Sequence, residues 1–216
     1  MFGDNWLAHG MMNLVPLVLS LTVHEWAHAY SAFLLGDDTA ARMGRLTLNP
    51  IVHMDPIGTL AAPLLGLPFG WAKPVPVNPL RFRREVPMRF GMMITAAAGP
   101  ISNLVLALLS AVALGLLWRS GNIRVASGGL YLLLHGAISI NVALFIFNLI
   151  PVPPLDGSRV VDGLMPYRLR PYWDQYAKFG SLALLAVVFL GGSLLARPIA
   201  FISEPLFELS EHIAGR

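Results

Sequence analysis

Four apolar stretches, residues 11–35, 91–118, 130–150 and 179–196, punctuate the chain. About 20 helical residues cover a hydrocarbon core of roughly 30 Å, so each is predicted to cross a bilayer. Residues 57–70 are also apolar, but they are short and broken by Gly and Pro, which favours a re-entrant or half-buried element. The alternation Arg42-Met43-Gly44-Arg45-Leu46-Thr47-Leu48 followed by Asn49-Pro50 predicts a short strand and turn within residues 39–56, a β-strand/hairpin region at the membrane edge. Residues 71–90, with Pro74, Pro76 and Pro79 and then Arg81, Arg83, Arg84 and Arg89, predict an extended loop outside the hydrocarbon. Residues 197–213 carry Glu204, Glu208 and Glu211 and predict an interfacial helix. The predicted fold is an all-α polytopic membrane protein of about four full transmembrane helices plus the re-entrant segment and the edge strand. It forms one membrane-embedded domain over 1–216, with a core at about 10–160 and C-terminal helices at 176–213, no appended soluble domain and no internal repeat.

Composition agrees with a bilayer. Of 216 residues, 56% are hydrophobic and 12% charged, too apolar for a soluble domain whose helices each keep one wet face. With no cysteine, disulfides, thiolate metal sites and cysteine nucleophiles are excluded, so any metal must use His and carboxylates. The net charge of +3 comes from basic residues set between apolar runs, as topology signals are, so no nucleic-acid partner is expected. Placing 36–90 and 151–178 on one side gathers eleven of the fifteen Lys and Arg there, which predicts that side to be cytoplasmic. The first apolar run lacks a basic leader and an A-x-A site and carries His24, Glu25 and His28, so it is not expected to be a removable signal peptide.

His24-Glu25-Trp26-Ala27-His28 is an H-E-x-x-H pattern inside a long apolar helix. Positions i and i+4 share a face, so both imidazoles can reach one zinc ion, while Glu25 stands beside it where it can take a proton from water. Three ionisable groups within five residues of a spanning helix are costly to bury for packing alone. Two histidines call for a third protein ligand, commonly a carboxylate. Asp156 is the best candidate, in Asn148-Leu149-Ile150-Pro151-Val152-Pro153-Pro154-Leu155-Asp156-Gly157, although Asp-Gly after prolines is ordinarily a turn. Topology favours a ligand. The first helix runs inward with His28 and His24 about 12 and 18 Å before Gly36, and the 130–150 helix, also running inward, delivers Asp156 to the same half.

Together with Gly99-Pro100-Ile101-Ser102-Asn103 and Asn148 to Gly157, the H-E-x-x-H segment resembles the site-2 protease family of intramembrane zinc metalloproteases. Asn49-Pro50, His53-Met54-Asp55-Pro56-Ile57-Gly58-Thr59 and Trp71 to Pro79 are similar to its compact bacterial and archaeal members, without PDZ or CBS domain. The likeness covers roughly residues 20 to 160. It implies one Zn2+ per chain held by His24, His28 and Asp156, Glu25 as the general base that activates water, and Asn148 placed to hold the substrate's carbonyl. Asn148 could instead serve helix packing, and for Gly99 and Asn103 packing and substrate contact are both open. His53 could steady substrate or simply bond within its loop. Val75 and Val77 could offer a strand edge to an unwound substrate, or lie in a plain connection.

The predicted function is hydrolysis of a peptide bond in a membrane-anchored protein or peptide substrate, in contact with the lipid bilayer. A zinc-binding but non-proteolytic homologue is the alternative. A small ion or proton transporter, with the same four ionisable residues forming a path, is a third reading that the metal-ligand spacing disfavours.

Overall fold

The structure is a computed structural model that describes residues 6–65, 70–123, 128–190 and 192–215. Its helices are α1 (Trp6–Leu34), α2 (Thr39–Arg42), α3 (Ala62–Leu64), α4 (Met88–Arg119), α5 (Gly129–Asn148), α6 (Asp156–Leu164), α7 (Arg170–Ala177), α8 (Gly180–Leu190) and α9 (Gly192–Ala214). Single helical turns over Pro50–Val52, Pro56–Ala61, Pro79–Arg81 and Tyr167–Leu169 connect them. The hydroxyls inside α1 are satisfied locally: Ser20 Oγ donates to Pro16 O at 2.6 Å and Thr22 Oγ1 to Val18 O at 2.7 Å.

α4 is the central helix, packed against α1, α5, α6 and α9. Its buried face includes Gly91, Ala96, Gly99, Ala107 and Ala111, small residues that let neighbouring backbones come close where apolar burial gives helices no net attraction in lipid. Towards the C-terminal end of α4, Ala111 and Leu114 pack with Ile123 and Ile138, and Trp118, Tyr131 and Phe207 close around them. The polar residues of α1, α4 and α5 gather at the other end of this core.

Two features of the predicted fold are corrected. The described residues contain two helices long and apolar enough to cross a membrane, α4 and α5, and a third if the bent pair Gly180–Phe189 and Leu194–Ala214 is one span. That makes two or three, not four. The predicted 179–196 span fails because the chain bends by 70° within it, so α8 is only eleven residues long. α1 has the length, at 29 residues, but is not among these candidates. The predicted β-strand/hairpin is also absent, since the described residues hold no strand. Thr39 to Arg42 form a helical turn instead, with Asp37 Oδ1 accepting from Thr39 N at 3.0 Å and Arg42 paired to Asp38 at 2.6 Å, four residues apart. The N–H groups of Met43, Gly44 and Arg45 then turn back to the carbonyls of Thr39, Ala41 and Ala40, so they are not available to a strand partner. The predicted re-entrant segment at 57–70 begins as the helical turns Pro56–Ala61 and Ala62–Leu64, and its residues 66–69 lie outside the described residues, as does Arg124 of the charge count.

Candidate metal centre

α1 presents His24 and His28 one turn apart, both buried, towards α4 and the start of α6. His24 Nε2 and His28 Nε2 lie 3.0 Å apart, and Asp156 Oδ2 is 3.2 Å from the first and 3.3 Å from the second. Each histidine spends its other nitrogen on a fixed acceptor. His28 Nδ1 donates to the carbonyl of Thr95 at 2.7 Å, so its proton sits on Nδ1 and its Nε2 lone pair faces Asp156.

The His24 tautomer follows from a longer chain of bonds. Ser20 Oγ donates to a carbonyl, so it must accept from Asn141 Nδ2 at 2.8 Å. Asn141 Oδ1 is therefore left to accept from Asn103 Nδ2 at 2.8 Å, and Asn103 Oδ1 faces His24 Nδ1 at 2.6 Å. That oxygen can only accept, so His24 Nδ1 carries the proton and Nε2 its lone pair. Asn103 and Asn141 are both fully buried, which holds the network away from competing water.

With both rings neutral, two imidazole lone pairs and a carboxylate oxygen thus converge at 3.0–3.3 Å. Such a triangle is repulsive unless a cation sits against it. Donors 2.0–2.1 Å from a tetrahedral zinc ion are about 3.3 Å from one another, so the triangle has the dimensions of one face of a zinc site. The donor set fits the metal.

Two glycines make this approach possible. A Cβ on Gly99 would lie 2.4 Å from His28 Nε2 and 2.7 Å from His24 Cε1, so only glycine lets α4 pass across the imidazoles. A Cβ on Gly157 would lie 2.2 Å from Leu149 O, where the start of α6 folds back against the end of α5. The Asp-Gly pair is therefore not a turn: Asp156 opens α6, and Gly157 lets that helix begin beside the bundle.

A cavity of about 290 Å³ opens beside the three ligand atoms, and Glu25, Val75, Val77, Asn148 and Arg159 line it with them. Glu25 is 8% exposed, and its Oε2 accepts from Val75 N at 2.7 Å. One N–H of the Asn148 side chain donates to Leu144 O at 3.0 Å. The segment from Trp71 to Asn78 is clamped at residues 71, 73, 75 and 78. Thr59 Oγ1 donates to Trp71 O (2.8 Å), Lys73 N to His53 O (2.9 Å), Arg45 Nη2 to Lys73 O (2.5 Å), Val75 N to Glu25, and Asn78 N to Asp37 Oδ2 (2.6 Å).

Of the residues singled out in the sequence, His24, Glu25, His28, Asn148, Asp156, Val75 and Val77 meet at this cavity, while Gly99 and Asn103 stand directly behind the imidazoles. His53 does not line the cavity. It is 1% exposed, with Nε2 donating to Thr47 O at 2.8 Å and its backbone holding Lys73. Unforeseen were the Thr95 carbonyl, Asn141, Asp37, Arg45 and Arg159. A polar side chain in an apolar helix was the available signal for Asn141. A backbone carbonyl gives none.

Apolar helices able to span a bilayer and a buried His-His-Asp set beside a carboxylate together define a membrane protein with a candidate hydrolytic metal centre. Residues 119–191, which include Asn148 and Asp156 but not the His24 segment, match peptidase family M50. Over 176 residues the chain is 42% identical to "Putative zinc metalloprotease YwhC" of Bacillus subtilis, covering 81% of this chain and 78% of that one. It is 31% identical over 145 residues to "Putative zinc metalloprotease Rip2" of Mycolicibacterium smegmatis, 67% of this chain and 54% of the relative. Against the Mycobacterium tuberculosis H37Rv protein of the same name it is 29% identical over 187 residues, 85% of this chain and 68% of the relative. No solved structure matches. The chain belongs to peptidase family M50, the site-2 protease family.

Asn103→Ala removes the acceptor that fixes His24 and is expected to lower zinc affinity about 10- to 100-fold. Gly99→Ala, which drives a methyl into both imidazoles, should lower it as well, whereas Gly129→Ala, with open space around it, should not. Zinc titration against a competing chelator measures all three.

Proposed function

We propose that the chain is a zinc-dependent endopeptidase that cuts a peptide bond of a membrane-anchored protein or peptide, with His24, His28 and Asp156 as the metal ligands and Glu25 as the general base. The observation that carries this reading is the convergence of three lone pairs from His24, His28 and Asp156 at 3.0–3.3 Å, beside a cavity that Glu25 also lines. A zinc ion, when bound, supplies Lewis-acid polarisation of the scissile carbonyl and lowers the pKa of water.

The chain's own residues supply the rest. Thr95 O and Asn103 Oδ1 hold both imidazoles in the tautomer that leaves Nε2 unprotonated. Glu25 takes a proton from water as the water oxygen bonds to the carbonyl carbon, then gives that proton to the amine as the C–N bond breaks, leaving a carboxylic acid and an amine that exchange the remaining proton to become carboxylate and ammonium. Its Oε2 accepts from Val75 N–H, which links the base to the 71–78 segment. Asn148 lines the cavity and bears a second amide N–H that can share charge on the carbonyl oxygen.

A substrate strand beside residues 71–78 suits the clamping pattern. Backbone groups of residues 71, 73 and 75 are already engaged, so the intervening carbonyls of an extended segment face the other way and can accept from an unwound peptide. Pro74 and Pro76 offer no N–H there. In this reading the active site faces the cytoplasm of a prokaryotic cell membrane, the side that collects the basic residues.

Two measurements test the proposal. Glu25→Gln keeps the side chain's shape but removes the base, so purified protein should retain zinc and lose cleavage of a membrane-anchored reporter by about 10²–10⁴-fold. Loss of zinc would make Glu25 a ligand, and full activity would rule out this mechanism. For orientation, a cysteine placed at Arg83 should react with an impermeant thiol reagent from the cytoplasmic side and one at Gly121 from the opposite side, since α4 lies between them. Labelling of both from one side would contradict it.

A further inference from the structure

The cavity beside the metal ligands has one cationic side chain on its wall that the proposed chemistry does not use. Arg159 lies on α6 one turn after Asp156 and lines the same cavity as Glu25 and Asn148. Helical spacing puts two carboxylates within its reach, Asp156 three residues before and Asp162 three residues after. Both are committed elsewhere. Asp156 Oδ2 faces the two imidazoles at 3.2 and 3.3 Å, while Asp162 is held by Arg170 at 3.4 Å and Arg89 at 3.9 Å. Among the described residues Arg159 itself makes no hydrogen bond or ion pair, and it is exposed at the cavity edge.

A guanidinium left without a counter-ion on the wall of a reaction cavity is placed to receive one from whatever enters. Its planar fork matches a carboxylate through two parallel N–H···O bonds, a geometry that a point charge cannot offer. The anions that a polypeptide carries beside its cleavable bond are Asp and Glu side chains. The cavity's other anions, Glu25 and Asp156, stand with Val75 N–H and the imidazoles, leaving the Arg159 end of the wall as the attractive one for a negative group.

We infer that Arg159 forms a carboxylate subsite that selects substrates with an acidic side chain close to the scissile bond. This rests on the endopeptidase reading, with Arg159 acting as a specificity residue and taking no part in proton transfer or metal binding. Because the pair forms at an exposed edge, the preference it gives is modest, about 3- to 10-fold.

The test uses fluorescently labelled apolar peptides in which a single Glu, or Gln or Lys in its place, is moved through the residues flanking the central bond. Binding is measured by anisotropy on the zinc-loaded full chain carrying Glu25→Gln, so the readout does not depend on turnover. One position should favour Glu over Gln by about 3- to 10-fold. Adding Arg159→Gln should abolish that preference, and Arg159→Glu should reverse it in favour of Lys, with zinc content unchanged in both. A structural role for Arg159 would weaken all peptides alike and would not reverse the charge preference. Equal binding of Glu and Gln at every position, or a preference that survives Arg159→Gln, overturns the subsite. Cleavage of the same peptides by the native chain separates the two claims. Cutting without charge preference removes only the subsite, and a charge preference in binding with no cutting removes the endopeptidase reading and leaves the subsite standing.

Discussion

The arrangement turns on three lone pairs held close together. With neutral rings, two imidazole nitrogens and a carboxylate oxygen at 3.0–3.3 Å repel one another, and the buried histidines give them little water to screen them. The chain invests helices α1, α4, α5 and α6 in maintaining this contact. α1 carries the histidines, α4 provides the Thr95 carbonyl and Asn103, α5 provides Asn141, and α6 brings Asp156. The Thr95 carbonyl and the two asparagines stand behind the imidazoles, on the side away from the proposed metal, yet they decide which nitrogen is free to bind it. The small residues along α4 follow from the same constraint, because a side chain at position 99 would occupy the space of the imidazoles.

The carboxylate next to this centre is under separate control. Glu25 is bonded to Val75, and Val75 belongs to a segment pinned at Trp71, Lys73 and Asn78 by Thr59, His53, Arg45 and Asp37. The buried Asp37 and Arg45 are opposite in charge but alike in effect, since each spends that charge on a backbone group of this segment. The segment is consequently rigid where it meets the base, and a peptide that displaces or pairs with it changes the surroundings of Glu25 directly.

Much of the centre was legible in the sequence because its logic is periodic. His24 and His28 share a face by spacing alone, and Asp156 was found by asking which inward-running helix ends near them. What supports them was not legible. Thr95 contributes only a carbonyl, which any residue would supply, and Asn141 is one polar residue in a strongly apolar helix. The Asp156-Gly157 pair looked like a turn because composition cannot reveal that Gly157 presses against Leu149 O. Alternation at 42–48 suggested a strand, but the N–H groups of Met43, Gly44 and Arg45 turn back to the carbonyls of Thr39, Ala41 and Ala40. Hydropathy predicted four spans, because a run of apolar residues does not record the 70° bend between α8 and α9.

The central claim is that His24, His28 and Asp156 together hold a metal ion. Zinc X-ray absorption of the purified chain loaded with one equivalent of zinc addresses it most directly. Two imidazole nitrogens and oxygen donors are expected at about 2.0–2.2 Å, with one imidazole lost in His28→Ala and an oxygen donor lost in Asp156→Ala. Zinc bound without imidazole, or a spectrum that neither substitution changes, would contradict it.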